Sequence, residues 1–223
     1  EHAGAAHPSS GPKLADASIE VAEAGFANVH YDGQSTELTL VASPQDWLPP
    51  GILWDLPEIV ALIDGAESTI RIQLLSYRTV GRDGAYYAAL ESALRRAAGR
   101  GVKVEMLLAD WNKRPGRIEG LQSLQALPGI EIRLATIPPA PEGFIPFARV
   151  IHAKYMVADA QRAWLGTSNW ERDYFHASRN VGFLIEGTAL AGRMDAYFRR
   201  GWESPYVEPV DPCRTYRAPR IGE

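Results

Sequence analysis

The sequence predicts an α/β fold: a mixed β-sheet flanked by helices on both faces, an α/β sandwich. Two observations carry this. Apolar runs of strand length alternate along the chain with segments whose apolar residues recur at helical spacing. The 223 residues, 46% hydrophobic and 22% charged, suffice for one sizeable core. Regular patterning starts at Glu37, and three units follow from it. Residues 1–35, rich in Ala, Gly, Ser and His, are expected to be a loose lead-in or linker; residues 36–207 form the folded domain; residues 208–223 form a C-terminal tail.

The elements follow in order. Leu38 to Ala42 has strand character, broken by the stretch from Pro44 to Pro50. Asp55-Leu56-Pro57-Glu58 opens a helix, with Asp55 as N-cap and Glu58 in capping-box position. Ile70 to Tyr77 is a strand. Tyr86, Leu90, Leu94 and Ala97 then recur at helical spacing, with Glu91, Arg95 and Arg96 opposite, and Gly99 and Gly101 end that helix. Val102 to Ala109 is a second strand, Ile118 to Leu127 a short helix, and Ile130 to Ile137 a third strand. Pro138, Pro139, Pro141 and Pro146 make a rigid loop suited to lining a cleft. Arg149 to Val157, Ala163 to Gly166 and Val181 to Ile185 are strands. Ala189 to Arg200 is a terminal helix burying Leu190, Met194, Tyr197 and Phe198.

Composition narrows the function. A net charge of −4 argues against a general duplex-DNA binder, which carries clustered Lys and Arg, but leaves room for a local cationic site. The lone Cys213 excludes an intrachain disulfide and a Cys-rich zinc site; it is an inert thiol or pairs with another chain. His2, His7 and His30 lack metal-ligand spacing. No apolar run is long enough to span a bilayer. The start at Glu1 fits a processed or excised chain.

The chemistry concentrates at His152, Lys154 and Asp159, followed by Gly166-Thr167-Ser168-Asn169, which together spell H-x-K-x4-D-x6-G-[ST]-x-N. Alternate residues of a strand share a face, so His152 and Lys154 project side by side. A neutral imidazole is available near neutral pH as a nucleophile, and the ammonium of Lys154 stabilises charge on the non-bridging oxygens of a phosphodiester. Asn169 adds an amide donor to the same phosphate. Neither a metal nor a cofactor is needed. Asp159 falls in the turn after the strand and is expected to support that turn rather than to touch substrate.

These residues are the signature of the phospholipase D superfamily of phosphodiesterases, which the chain resembles. Ile145 to Val157, Gly166 to Trp170 and Tyr174-Phe175 further resemble the second half of the branch containing the endolysosomal 5′-exonucleases. Ala42-Ser43-Pro44, Arg100 to Val104 and Trp202 to Tyr206 are similar to the same branch, so the resemblance covers roughly residues 38–207. It implies a phospholipase D-like catalytic domain with two motifs meeting across a pseudo-two-fold axis. One His forms a phosphohistidine; the other protonates the leaving oxygen and then activates water. His152 would be the second-half histidine, with Lys154 and Asn169 as phosphate ligands.

This chain has one such motif. It is therefore half of a two-motif enzyme, or a homodimer of the kind the superfamily's small nucleases form, or a catalytically silent half acting as a binding module. The resemblance implies single-stranded nucleic acid cut from a 5′ end as substrate, with a phospholipid head group as the rival, and a secreted or lumenal setting. Related enzymes orient the imidazole with a downstream acid; here Asn180 is the candidate in that region, with Asp173 and Glu186 as further candidates.

Other candidates carry two readings each. Thr167 and Ser168 belong to the signature loop as substrate contacts. Trp170, Tyr174 and Phe175 are a wall on which a base stacks, or core packing. Arg149 reaches a phosphate or forms an ion pair. Lys113, Arg114 and Arg117 contact a substrate backbone or form a solvated loop. Trp47, Leu48 and Trp54 form a hydrophobic lip or pack over the sheet.

Overall fold

The computed structural model describes residues 19–23 and 26–222. The described chain opens with β1 (Ile19–Glu23), β2 (Phe26–Tyr31) and β3 (Gln34–Ser43). It continues through β4 (Leu53–Trp54), α1 (Asp55–Asp64), β5 (Thr69–Leu74), α2 (Ala89–Gly99) and β6 (Lys103–Ala109). Next come α3 (Ile118–Gln125), β7 (Ile130–Ala135), β8 (Tyr155–Ala158) and β9 (Arg162–Gly166). The last elements are α4 (Arg172–His176), β10 (Asn180–Glu186), α5 (Thr188–Trp202) and β11 (Val207–Pro209).

The strands form one mixed sheet in the order β1-β2-β3-β10-β9-β8-β5-β6-β7-β11, with β4 paired to β3. β5, β6 and β7 run parallel because α2 and α3 supply the crossovers between them. The strands from β8 back to β1 pair antiparallel. Alternation along each strand divides the core into two layers. Ile70, Ile72, Val104, Met106 and Ile132 meet α1, α2 and α3 on one face; Leu107, Tyr155, Val157, Ala163 and Ile185 meet Phe198 and Trp202 of α5 on the other. The expected mixed sheet with helices on both faces is the observed fold.

Beneath α5 the second layer holds charge. Arg71 donates to Glu105 at 2.8 Å and to Asp195 of α5, so the buried guanidinium is paired on both sides. Burying these carboxylates is tolerable only because each is paired.

Four expectations change. Residues 19–23 and 26–31, expected in a loose lead-in, form β1 and β2 and extend the sheet, because β3 is longer than its core stretch and offers an edge from Gln34 onward; residues 1–18, with His2 and His7, lie outside the described residues. The expected tail is packed: β11 pairs with β7, and Val210 and Ile221 are buried. The strand expected over 149–157 is only β8, since Phe147 and Arg149 take positive φ and break the extended run. The strand expected to reach Tyr77 stops at Leu74, because Asn112 claims the Leu75 carbonyl and the Tyr77 amide at 2.9 and 3.0 Å.

Candidate active site

His152 and Lys154 stand in the irregular chain immediately before β8, and the Lys154 ammonium lies beside the His152 ring. Lys154 is buried and His152 exposed. The Lys154 Nζ donates to the His152 carbonyl at 2.7 Å and lies 3.2 and 3.3 Å from the two ring nitrogens. Partial desolvation and the neighbouring ammonium push the His152 imidazole below its ordinary pKa. Desolvation likewise lowers Lys154. The pair is a neutral ring beside a cation.

The loop after β9 faces them, as the Gly166 amide donates to the Lys154 carbonyl at 3.1 Å. Gly166 is required by packing. A Cβ there would meet the buried Trp164 ring at 2.6 Å. Thr167 is spent on β10: its amide donates to the Val181 carbonyl, and its hydroxyl donates to Asn180 and accepts from the Val181 amide. Ser168 is 0% exposed and pairs with Asp55 Oδ2 at 3.2 Å, so it faces inward rather than toward substrate. Asn169 Oδ1 accepts from the Ser76 amide at 3.1 Å, and its Nδ2 donates to the Tyr174 hydroxyl at 2.9 Å. The amide is thus held with its donor toward a cleft that it lines.

The model of the family described as "Cardiolipin synthase, PLD-like domain" matches residues 59–202, which include the whole signature. The chain belongs to the phospholipase D-like family. It is 34% identical over 180 residues to "Phospholipase D Z" of Dictyostelium discoideum, covering 78% of this chain and 42% of that protein. It is 31% identical over 201 residues to "5'-3' exonuclease PLD4" of Mus musculus, covering 81% and 40%. Among solved structures, NucT from Helicobacter pylori superposes with a TM-score of 0.61 at 20% identity, covering 76% of this chain and 97% of that one. The chain spans 40–42% of the length of these two curated relatives. No helix among the described residues is long and apolar enough to cross a membrane.

Asp159 of the phospholipase D-like signature is a brace. It lies in the turn after β8 at positive φ, and its carboxylate accepts from the amides of Glu67, Ser68 and Thr69 and from the Ser68 hydroxyl, all within 2.9 Å. Partial burial pushes its pKa up, but these donors hold it below the ordinary carboxylate range. Trp170 is 1% exposed and packs against Trp164, and Phe175 is fully buried, so neither offers a face to a base. Asn180 bonds Thr167, Ser178 and the Tyr174 carbonyl; these bonds fix the turn, and none is to His152. Asp173 pairs with Arg82 at 3.0 Å, and Glu186 is exposed. Arg149 donates to the Pro138 carbonyl and forms no ion pair among the described residues. Trp47 stands open at 68% exposure while Trp54 packs on His176.

Asp55 is no side-chain cap. It is buried at the first residue of α1, and burial lifts its carboxyl to about 6 despite the hydrogen bond from Ser168. A second cluster was missed altogether. Glu171 is 6% exposed, accepts from Arg117 at 2.6 and 3.2 Å and from Ser76, and forms an ion pair with Arg78 at 3.3 Å. Burial pushes Glu171 up, but Arg117 and its other donors bring it below the usual range. The sequence signal was an acid two residues after Asn169, at the head of the charged run Glu171-Arg172-Asp173.

Proposed function

We propose that this chain is a metal-independent phosphodiesterase in which the His152 imidazole acts on phosphorus or as the acid partner of a second imidazole. The observation that carries this is the exposed, neutral-leaning His152 with the Lys154 ammonium 3.2–3.3 Å from its ring nitrogens. In the nucleophilic role, a ring nitrogen forms the N–P bond while the P–O bond to the leaving group breaks. A proton from the second imidazolium goes to that oxygen. Water then attacks phosphorus and gives a proton to the second imidazole while the N–P bond breaks, which frees His152 and the phosphate product. Lys154 stabilises the non-bridging oxygens, and Asn169 donates to a phosphate oxygen in place of the Tyr174 hydroxyl. Asp159 supports the turn.

The second imidazole comes from another copy of the chain or from another motif-bearing half. The exposure of His152 supports such a partner, since a lone open imidazole lacks both the acid and the dry surroundings of the reaction. The substrate we favour is single-stranded nucleic acid cut from its 5′ end, on the relatives named as 5'-3' exonucleases. A phospholipid head group is the second reading. It is favoured by relatives named phospholipase D and by exposed Phe144, Ile145 and Phe147 on the loop before His152. The secreted or lumenal setting stands on the family resemblance.

The test is cleavage of an end-labelled single-stranded oligonucleotide in EDTA, with His152→Ala alongside. Laddering from the 5′ end that vanishes in the variant is the expected result. A strict metal requirement would overturn the mechanism. Release of head groups from phospholipid without cleavage of the oligonucleotide would move the substrate to lipid, and no turnover on either would leave a half that needs its partner.

A further inference from the structure

Two clefts meet beside Asn169. One, of about 230 Å³, is lined by Ser76, Trp111, Arg114, Arg117, Asn169 and Tyr174, among others. The other, of about 490 Å³, is lined by Asp173, Tyr174, Ser178, Arg179 and Asn180. Arg82 and Tyr174 line both, so they form one groove that passes the signature amide.

The groove is cationic on a chain of net charge −4. Arg82, Arg114, Arg117 and Arg179 line it against two acids, Glu171 and Asp173, and Arg78 pairs with Glu171. Both acids are occupied: Glu171 by Arg117 and Arg78, Asp173 by Arg82 at 3.0 Å. Arg114 and Arg179, one in each cleft, have no ion pair among the described residues. Each has an aromatic ring nearby. Trp111 lines the cleft with Arg114, its edge against Phe147 at 6.4 Å. The Arg179 guanidinium lies 4.9 Å over the ring of Trp47, which is exposed.

We propose that this groove is a binding track for single-stranded nucleic acid, with Arg114 and Arg179 holding phosphates on either side of Asn169 and Trp111 stacking a base. This rests on the phosphodiesterase reading of the signature, and it extends the site beyond the scissile phosphate. Spaced guanidinium groups with an aromatic platform match a polymer of phosphates and rings. A single phospholipid head group carries one phosphate and no ring, so it uses neither the spacing nor the indole. Arg114 and Arg117 are sequence neighbours, but their roles divide. Arg117 holds Glu171 in place, and Arg114 is free for ligand.

The test is binding of 3′-fluorescein-labelled dT12 by anisotropy at several salt concentrations, to the full chain carrying His152→Ala so that the probe is not consumed. Arg114→Glu and Arg179→Glu are each expected to weaken binding at least about tenfold and to reduce the salt slope by about one. Trp111→Ala is expected to weaken it about tenfold with the slope kept. Arg193→Glu, the same charge change on exposed α5 outside the groove, should leave binding unchanged. Unaltered binding in the Arg114 and Arg179 variants overturns the track, as does an equal loss in Arg193→Glu. Thermal melts and the milder Arg114→Gln separate binding from folding. Arg114-dependent capture of phosphatidylglycerol vesicles, without binding of dT12, also overturns it. Hydrolysis of bis(p-nitrophenyl) phosphate by the unsubstituted chain reads the chemistry by itself. Its failure would count against the phosphodiesterase reading while the anisotropy still decides the groove.

Discussion

The Lys154 ammonium does two things to its neighbour. It donates to the His152 carbonyl, which fixes the chain just before β8, and its charge disfavours a proton on the imidazole. It stands nearly equidistant from both ring nitrogens, so it is aligned on the lone pair of neither and leaves one free for phosphorus. Burial lowers His152 first and Lys154 second, so removing the charge should raise the His152 pKa by part of the shift. The Hε1 resonance of His152, followed by NMR across pH 4 to 8, should titrate below the usual value of about 6.5 and move upward in Lys154→Ala. An unmoved midpoint would separate the two side chains electrostatically. In turnover, Lys154→Ala should lose at least about 100-fold with the melting temperature kept, because the developing phosphate charge loses its cation. Activity that needs neutral His152 is lost as pH falls through its lowered pKa, so the acid limb lies below that of a free histidine.

At the scale of elements, Asp55 shows what local patterning reads and what it misses. Asp-Leu-Pro-Glu is a proper helix opening, and α1 does begin there. The side chain instead turns into the protein toward Ser168, 113 residues away, and becomes a buried carboxyl titrating at about 6. An unfolded Asp titrates near 4. Between those values the folded chain holds a proton that the unfolded chain has lost. The associated stability is therefore complete below about pH 4 and declines as pH rises through about 6, by roughly 3 kcal/mol in all. Asp55→Asn keeps an acceptor for Ser168 and cannot ionise, so its melting temperature should gain on the parent as pH rises from 4 to 8. A constant gap across that range would mean that Asp55 does not titrate in the fold. The same contrast holds elsewhere. The α2, α3 and α5 segments and strands β5 to β7 were legible because their apolar period is local. So was the H-x-K-x4-D signature, whose brace role for Asp159 follows from its turn. Glu171 with Arg78 and Arg117 was not, since its partners come from 54 and 93 residues away. Trp170 and Ser168 also misled, because adjacency to a signature residue does not say which face of the loop a side chain takes.

For the whole molecule, the proposed two-histidine reaction poses the question of how one motif completes it. In the proposed reaction a neutral imidazole attacks and a protonated one hands its proton to the leaving oxygen, and His152 cannot be both at once. The chain spans 36–45% of the length of its longer relatives, which leaves a second copy and a separate half as the two arrangements to distinguish. They differ in how rate depends on composition. If two copies of this chain build the site, each active unit needs two intact His152 side chains about a common axis. Turnover per chain should then fall on dilution below the dissociation constant of the pair. Mixing the chain with an equal amount of His152→Ala should cut the rate per intact chain to about half, because random pairing places half of the intact subunits with a dead partner. A site completed by a different half gives another pattern: no rate from the chain by itself at any concentration, and a rate proportional to the added half. A rate per intact chain indifferent to both dilution and mixing would mean that one imidazole suffices, and the two-histidine reading would fall.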